Sequence, residues 1–118
     1  DSCLVGSEMC IRDRLYSEEF YRACYSSLSE NGILVAQSES PLFHRDLIKS
    51  MQTRMADAGF NDVTTLFFPQ CTYPSGWWSA SMAFKGSKPL NYRTVDFNTE
   101  YYNNDIHLAA QAVPQFLR

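Results

Sequence analysis

The stretch 62–84, DVTTLFFPQCTYPSGWWSASMAF, constrains the fold more than any other part of the chain. Residues 62–68 read as one strand. In the run that follows, Trp78, Ala80, Met82 and Phe84 alternate with Trp77, Ser79 and Ser81, the period of a second strand. The connection PQCTYPSG is too short for a crossover helix, so the two strands are predicted to pair antiparallel. The one-residue register is fixed by Trp78, Ala80, Met82 and Phe84 sharing a face.

The elements before this pair alternate helix and strand. Ser17 suits an N-cap, Glu18 and Glu19 suit the first turn, and Phe20, Ala23, Cys24 and Leu28 recur at helical spacing. Gly32 is placed to end that helix in a left-handed conformation. ILVAQ at 33–37 is a short continuous apolar run, the pattern of a strand covered on both faces. Ser40-Pro41 reads as an N-cap followed by a first-turn proline. Leu47, Ile48, Met51, Met55 and Ala58 then form the apolar stripe of a helix over 41–58, stopped by Gly59. After a loop over 85–98, a last helix is predicted from Asn104 through Val113, ending near Pro114. The fold class is α/β: one sheet of strands 33–37, 62–68 and 77–84, with the first two helices on its faces.

Composition narrows the partners. The net charge of −3 leaves no basic footprint for nucleic acid or an anionic membrane. No run approaches the ~20 apolar residues of a membrane span. Glycines at 6, 32, 59, 76 and 86 form no phosphate-cradling loop. If the sheet belongs to a nucleotide-binding fold, the half that holds the nucleotide is not encoded in this stretch. Cys24 and Cys71 have no metal-type spacing and read as buried or half-buried free thiols of a reducing compartment.

Residues 1–14 stand apart. LVGSEMCIRDR follows neither a helical nor a strand period, and no secretory or transit signal is present. Back-translated, Leu4 to Asp13 resembles the end of a transposase-based sequencing adapter. The expectation is an artefactual leader over 1–14 and one domain portion over 15–118.

Three segments could carry chemistry. AQSES sets Gln37 and Glu39 just past a strand, where open α/β sheets bind ligands; a polar strand end with a helix cap is the alternative. TYPSGWW gathers Tyr73, Trp77 and Trp78 about a turn, an apolar wall with polar tips suited to an alkyl chain carrying amines. The alternative is a hairpin loop covering a sheet edge. YYNNDIHLAAQAVPQF contains His107, which on an apolar helix reads first as a structural residue. His44 shows no evident Asp or Cys partner in the sequence.

NGILVAQSESPLFHRDLIKSM, FPQCTYPSGWWSASMAFK and YYNNDIHLAAQAVPQF together resemble the C-terminal part of the spermidine synthases, a family of aminopropyltransferases. The resemblance implies a class I methyltransferase-like Rossmann sheet ending in the antiparallel hairpin. It implies transfer of an aminopropyl group from decarboxylated S-adenosylmethionine, as co-substrate, to putrescine, with release of methylthioadenosine. No metal and no other cofactor are implied. Tyr73 matches a family tyrosine that contacts the amine, Gln37 a glutamine of the same pocket, and Trp78 a position that walls the aminopropyl channel in some members. The family's catalytic aspartate loop should lie just upstream of Leu15; Asp1-Ser2 lacks its second aspartate and its prolines, so no catalytic residue is assigned within this chain. The resemblance further implies a cytoplasmic homo-oligomer, a dimer or tetramer. Competing readings are a related polyamine-modifying or methyl-transferring enzyme of the same fold, and a short non-catalytic α/β binding module.

Overall fold

The computed structural model describes residues 14–90 and 93–118. The expected leader, Arg14 apart, lies outside these residues. The Arg14 carbonyl accepts from Ser17 N at 3.1 Å and Ser17 Oγ at 2.7 Å. Six regular elements follow: α1 (Glu18–Ser27), β1 (Ile33–Gln37), α2 (Arg45–Asp57), β2 (Asp62–Pro69), β3 (Trp77–Phe84) and α3 (Asn104–Ala110). A 3-10 turn, Gln115–Leu117, comes after α3.

Helix α1 starts as its sequence dictates, with Ser17 Oγ accepting from Phe20 N at 3.2 Å. The face it buries is displaced from the predicted one. Tyr21 is the fully buried residue of α1, flanked by Phe20, Tyr25 and Leu28, while Ala23 is exposed and Cys24 half-buried. The tyrosines carry more apolar area than alanine or cysteine, and they decide which stripe turns inward. The end of α1 also differs from expectation. Leu28 turns to extended backbone, and Gly32 does not adopt positive φ. Gly32 is needed for another reason: a Cβ there would lie 2.7 Å from Leu28 Cβ.

Helix α2 begins four residues later than Pro41. Ser40 Oγ accepts from Leu42 N and Phe43 N, so it caps a separate turn; His44 precedes the helix without a side-chain cap. The predicted stripe is the buried one: Ile48, Met51 and Met55 are at most 1% exposed. The helix closes with Gly59 at φ 120°, where Gly59 N reaches Ala56 O and Phe60 N reaches Met55 O. That bond pair requires a left-handed residue in the middle. Helix α3 stops three residues before Val113; Asn103 Oδ1 caps its start, accepting from Ile106 N at 2.8 Å.

The sheet has the order β1-β3-β2, and β3 is antiparallel to both neighbours. Strands β1 and β2 are therefore parallel to each other, linked through α2, with β3 folded back between them. In register, Leu34, Ala36, Val63, Thr65, Ser79, Ser81 and Ala83 share one face. That face meets the helices, with Ala83 in a core formed with Tyr16, Tyr21, Met51, Met55, Ala58 and Phe60. Thus the serine-bearing face of β3, the more polar in sequence, packs on the core. Met82 and Phe84 are also buried, on the opposite face.

β1 corrects one expectation. It is covered on one face, not two: Ile33 is 45% and Val35 57% exposed. A continuous apolar run does not reveal which of its faces nearby chain will cover.

Candidate functional site

The parallel strands β1 and β2 end on the same side of the sheet, at Gln37 and Pro69. Ligands of open α/β sheets gather at such carboxyl ends. Two short connections sit there: residues 38–44, leading into α2, and residues 70–76, leading into β3.

The turn 70–76 is tied to itself. Gln70 N reaches Gly76 O at 2.9 Å, Tyr73 N reaches Gln70 O at 3.3 Å, and Gly76 N reaches Tyr73 O at 3.0 Å. Ser75 and Gly76 both have positive φ, 73° and 65°. These bends fold Tyr73 back onto the first residues of β3. Its ring stacks on Trp78, centroids 4.4 Å apart and planes 26° from parallel. The Trp78 indole Nε1–H donates to Gln37 Oε1 at 3.2 Å. All three residues singled out in the sequence therefore meet in one line, from the end of β1 through β3 to the turn. Tyr73 stays 45% exposed, so the wall faces open space.

Beneath this wall lies a cluster that sequence reading missed. Ser38, Ser40, Ser79 and Ser81 are fully buried and Thr65 nearly so. Ser38 Oγ lies 2.8 Å from Ser79 Oγ and 3.1 Å from Ser81 Oγ; Thr65 Oγ1 lies 3.2 Å from Ser81 Oγ. Ser79 Oγ donates to the Glu39 carbonyl at 2.8 Å, and Ser40 Oγ meets Ser75 Oγ at 2.8 Å. The signal available was the serine alternation in β3, which means little until the strands beside it are known.

Glu39, with φ 63°, is 9% exposed, and its Oε2 is 3.1 Å from His44 Nε2. His44 thus has the acidic partner that its sequence neighbourhood did not reveal. His107 Nδ1 pairs with the Tyr102 hydroxyl at 3.0 Å. On the far side of the hairpin, Phe116 meets Trp77 edge to face at 6.0 Å, and the Arg45 guanidinium lies 4.3 Å over its ring. Cys71 is exposed, against the expectation of burial, because it falls in the turn; Cys24 is half-buried. Among the described residues no group of His, Cys, Asp or Glu could hold a metal ion, and no helix is long and apolar enough to cross a membrane.

A crossover-linked parallel strand pair enclosing an antiparallel third strand defines an open α/β sheet, and the solved structures it resembles narrow the class. A spermidine synthase in complex with the transition-state analogue AdoDATO superposes with a TM-score of 0.77 at 34% identity, covering 88% of this chain and 38% of that one. The spermidine synthase from Thermotoga maritima gives 0.77 at 33% identity, covering 89% and 38%. The fold is thus the methyltransferase-like one of those enzymes. The family model of the spermine/spermidine synthase domain matches residues 4–94, and the chain belongs to that family. Curated relatives agree. The polyamine aminopropyltransferase of Methylococcus capsulatus is 56% identical over 108 residues, 86% of this chain and 37% of that protein. That of Nitrosococcus oceani is 51% identical over 109 residues, 88% and 38%. The chain spans well under half the length of these relatives.

Proposed function

We propose that this chain is the C-terminal portion of a spermidine synthase that moves an aminopropyl group from decarboxylated S-adenosylmethionine to putrescine. The observation that carries the reading is the contact line Gln37–Trp78–Tyr73 at the carboxyl end of the sheet. An amine nitrogen attacks the carbon beside the sulfonium, the carbon–sulfur bond breaks, and methylthioadenosine leaves. The attacking nitrogen must be uncharged, so its proton goes to a base before or during attack.

On this reading, the chain's own residues bind and orient the diamine. The stacked Tyr73 and Trp78 rings flank its methylenes. A charged far nitrogen is attracted to the ring faces. Gln37 Oε1 spends one lone pair on the Trp78 indole and keeps another for an amine N–H. The accepting carboxylates belong to a loop upstream of Leu15. The free thiols at Cys24 and Cys71 suit a cytoplasmic setting. The reading includes a homo-oligomeric parent and a leader over 1–14 foreign to the domain, although the family match itself begins at residue 4.

The test is to express the genomic open reading frame containing codons 15–118 and assay methylthioadenosine release from putrescine and decarboxylated S-adenosylmethionine. Turnover is expected. Turnover only with another amine, methyl transfer instead, or binding without turnover would each replace this reading. The same genomic DNA decides whether residues 1–14 are encoded.

A further inference from the structure

The two connections that carry the Gln37–Trp78–Tyr73 line each contain a non-glycine residue at positive φ, Glu39 at 63° and Ser75 at 73°. Such backbone persists only where its surroundings over-determine it. The buried hydroxyls do so, and proton counting gives them a direction.

Each hydroxyl has one proton to donate. Ser79 gives its proton to the Glu39 carbonyl, so in the bond between Ser38 and Ser79 the donor is Ser38. Ser81 donates to Ser38, so Thr65 donates to Ser81. The Gln52 amide nitrogen donates to Thr65 Oγ1 at 2.9 Å. The chain therefore runs one way: Gln52, Thr65, Ser81, Ser38, Ser79, then the carbonyl of Glu39. Aligned bonds of this kind polarise one another, and every buried hydroxyl in the series has a partner. A second strand of bonding starts at the same place. Ser75 Oγ donates to Trp77 O at 3.1 Å, which makes Ser40 the donor in its bond to Ser75. Ser40 Oγ accepts in turn from the amides of Leu42 and Phe43.

We infer that this one-way hydroxyl chain and the Ser40–Ser75 bond form a clamp that sets Gln37 and Tyr73 in place, making Ser79, Ser40 and Ser75 positioning residues for the amine-binding wall. The geometry stands on these contacts alone; the identity of the substrate rests on the proposed function. Apolar residues could fill the same buried face without any need for pairing. Hydroxyls confer what apolar packing does not, a fixed angle for the two bent connections. None of the three serines touches the substrate in this account. They act through the backbone at Glu39 and Ser75, two residues beyond Gln37 and two beyond Tyr73.

The test uses the protein encoded by the open reading frame that contains this chain, with Ser75→Gly and Ser79→Ala. Ser75→Gly removes the hydroxyl but suits positive φ, so the turn can keep its backbone, and thermal unfolding of each variant verifies that it is folded before its kinetics are read. Two readouts apply. One is the Trp78 indole N–H resonance, assigned with Trp78→Phe. The other is KM for putrescine against KM for decarboxylated S-adenosylmethionine. Both variants are expected to shift the indole resonance. KM for the amine should rise about fivefold to tenfold, with KM for the sulfonium donor within about twofold. Rises of equal size in both constants, or an unmoved resonance in Ser75→Gly, would overturn the clamp. If the unmodified protein does not use putrescine, the functional reading fails separately, and the indole resonance alone decides: a shift in Ser75→Gly sustains the clamp, none overturns it.

Discussion

Trp78 donates its indole N–H to Gln37 Oε1 at 3.2 Å and stacks its ring on Tyr73, so it joins two connections that are far apart in sequence. Its polar edge fixes the end of β1, and its apolar face holds the turn between β2 and β3. Neither partner is deeply buried. The wall is therefore held by a few directed contacts and by the hydroxyl cluster below it, with little contribution from area burial.

Tyr73→Ala should separate binding from folding. Tyr73 is 45% exposed and its contact is one stacked ring, so the stability loss should be below about 1 kcal/mol. Loss of the ring and hydroxyl from a small amine site should lower kcat/KM for putrescine by about thirtyfold, roughly 2 kcal/mol. Steady-state kinetics with urea unfolding of the same variant check both figures. Unchanged kinetics would remove Tyr73 from the site.

Tyr21 makes a pH prediction. It is fully buried, and its hydroxyl has no hydrogen-bond partner among the described residues. Burial holds the phenol far above the ordinary tyrosine value of 10.0. Below that value both states keep the proton, and the neutral buried form is undisturbed. Above it the unfolded chain ionises while the folded chain does not, so stability falls with rising pH by about 1.4 kcal/mol per unit until the folded phenol titrates. Tyr21→Phe should lack this component and, by removing an unsatisfied hydroxyl, raise stability by about 1 kcal/mol near neutral pH. Urea unfolding of both proteins between pH 7 and about 11 measures the difference, and parallel curves would contradict it.

What the sequence disclosed follows physical range. The strands expected at 62–68 and 77–84 were legible because alternation and a short connection are local, and the first runs one residue further, to Pro69. Ser17 was legible as a cap for the same reason. Ser40 was not, because Ser-Pro fits either a helix start or the separate turn it caps. Tyr21 escaped the predicted stripe because a phenol scores as polar while its ring buries like phenylalanine. Gln37, Tyr73 and Trp78 were marked by their positions at strand ends and by resemblance, but their contact needed the β1-β3 register. The Glu39–His44 pair depended on the backbone at Glu39 turning left-handed, which a glutamate does not advertise.

The two thiols should react at different rates. Cys71 is exposed in the turn, whereas Cys24 is half-buried on α1 with its pKa raised by burial. Less thiolate and less access both slow Cys24. Brief iodoacetamide treatment near pH 8, followed by peptide mapping, should label Cys71 several-fold faster. Equal labelling would mean that α1 opens from the sheet on the timescale of the reaction.

On the proposed reading, the uncovered face of β1 separates the short chain from a longer parent. Ile33 and Val35 point away from the core and are 45% and 57% exposed, while β1 lies at one end of the three-stranded sheet. An exposed apolar edge strand pairs readily with other chains. Expressed alone, residues 15–118 should aggregate and release no methylthioadenosine. Val35→Lys should reduce that aggregation, because a charge on an edge strand opposes pairing and the position is already open to solvent. In the longer protein the same change should do harm, costing roughly 2 kcal/mol or more if further chain packs on this face. Light scattering of the short chain and thermal unfolding of the long one, each with and without Val35→Lys, give opposite signs on this view. A Val35→Lys parent as stable and as active as the unmodified one would show that nothing covers this side of β1. Robust turnover by 15–118 alone would move the chemistry into the short chain.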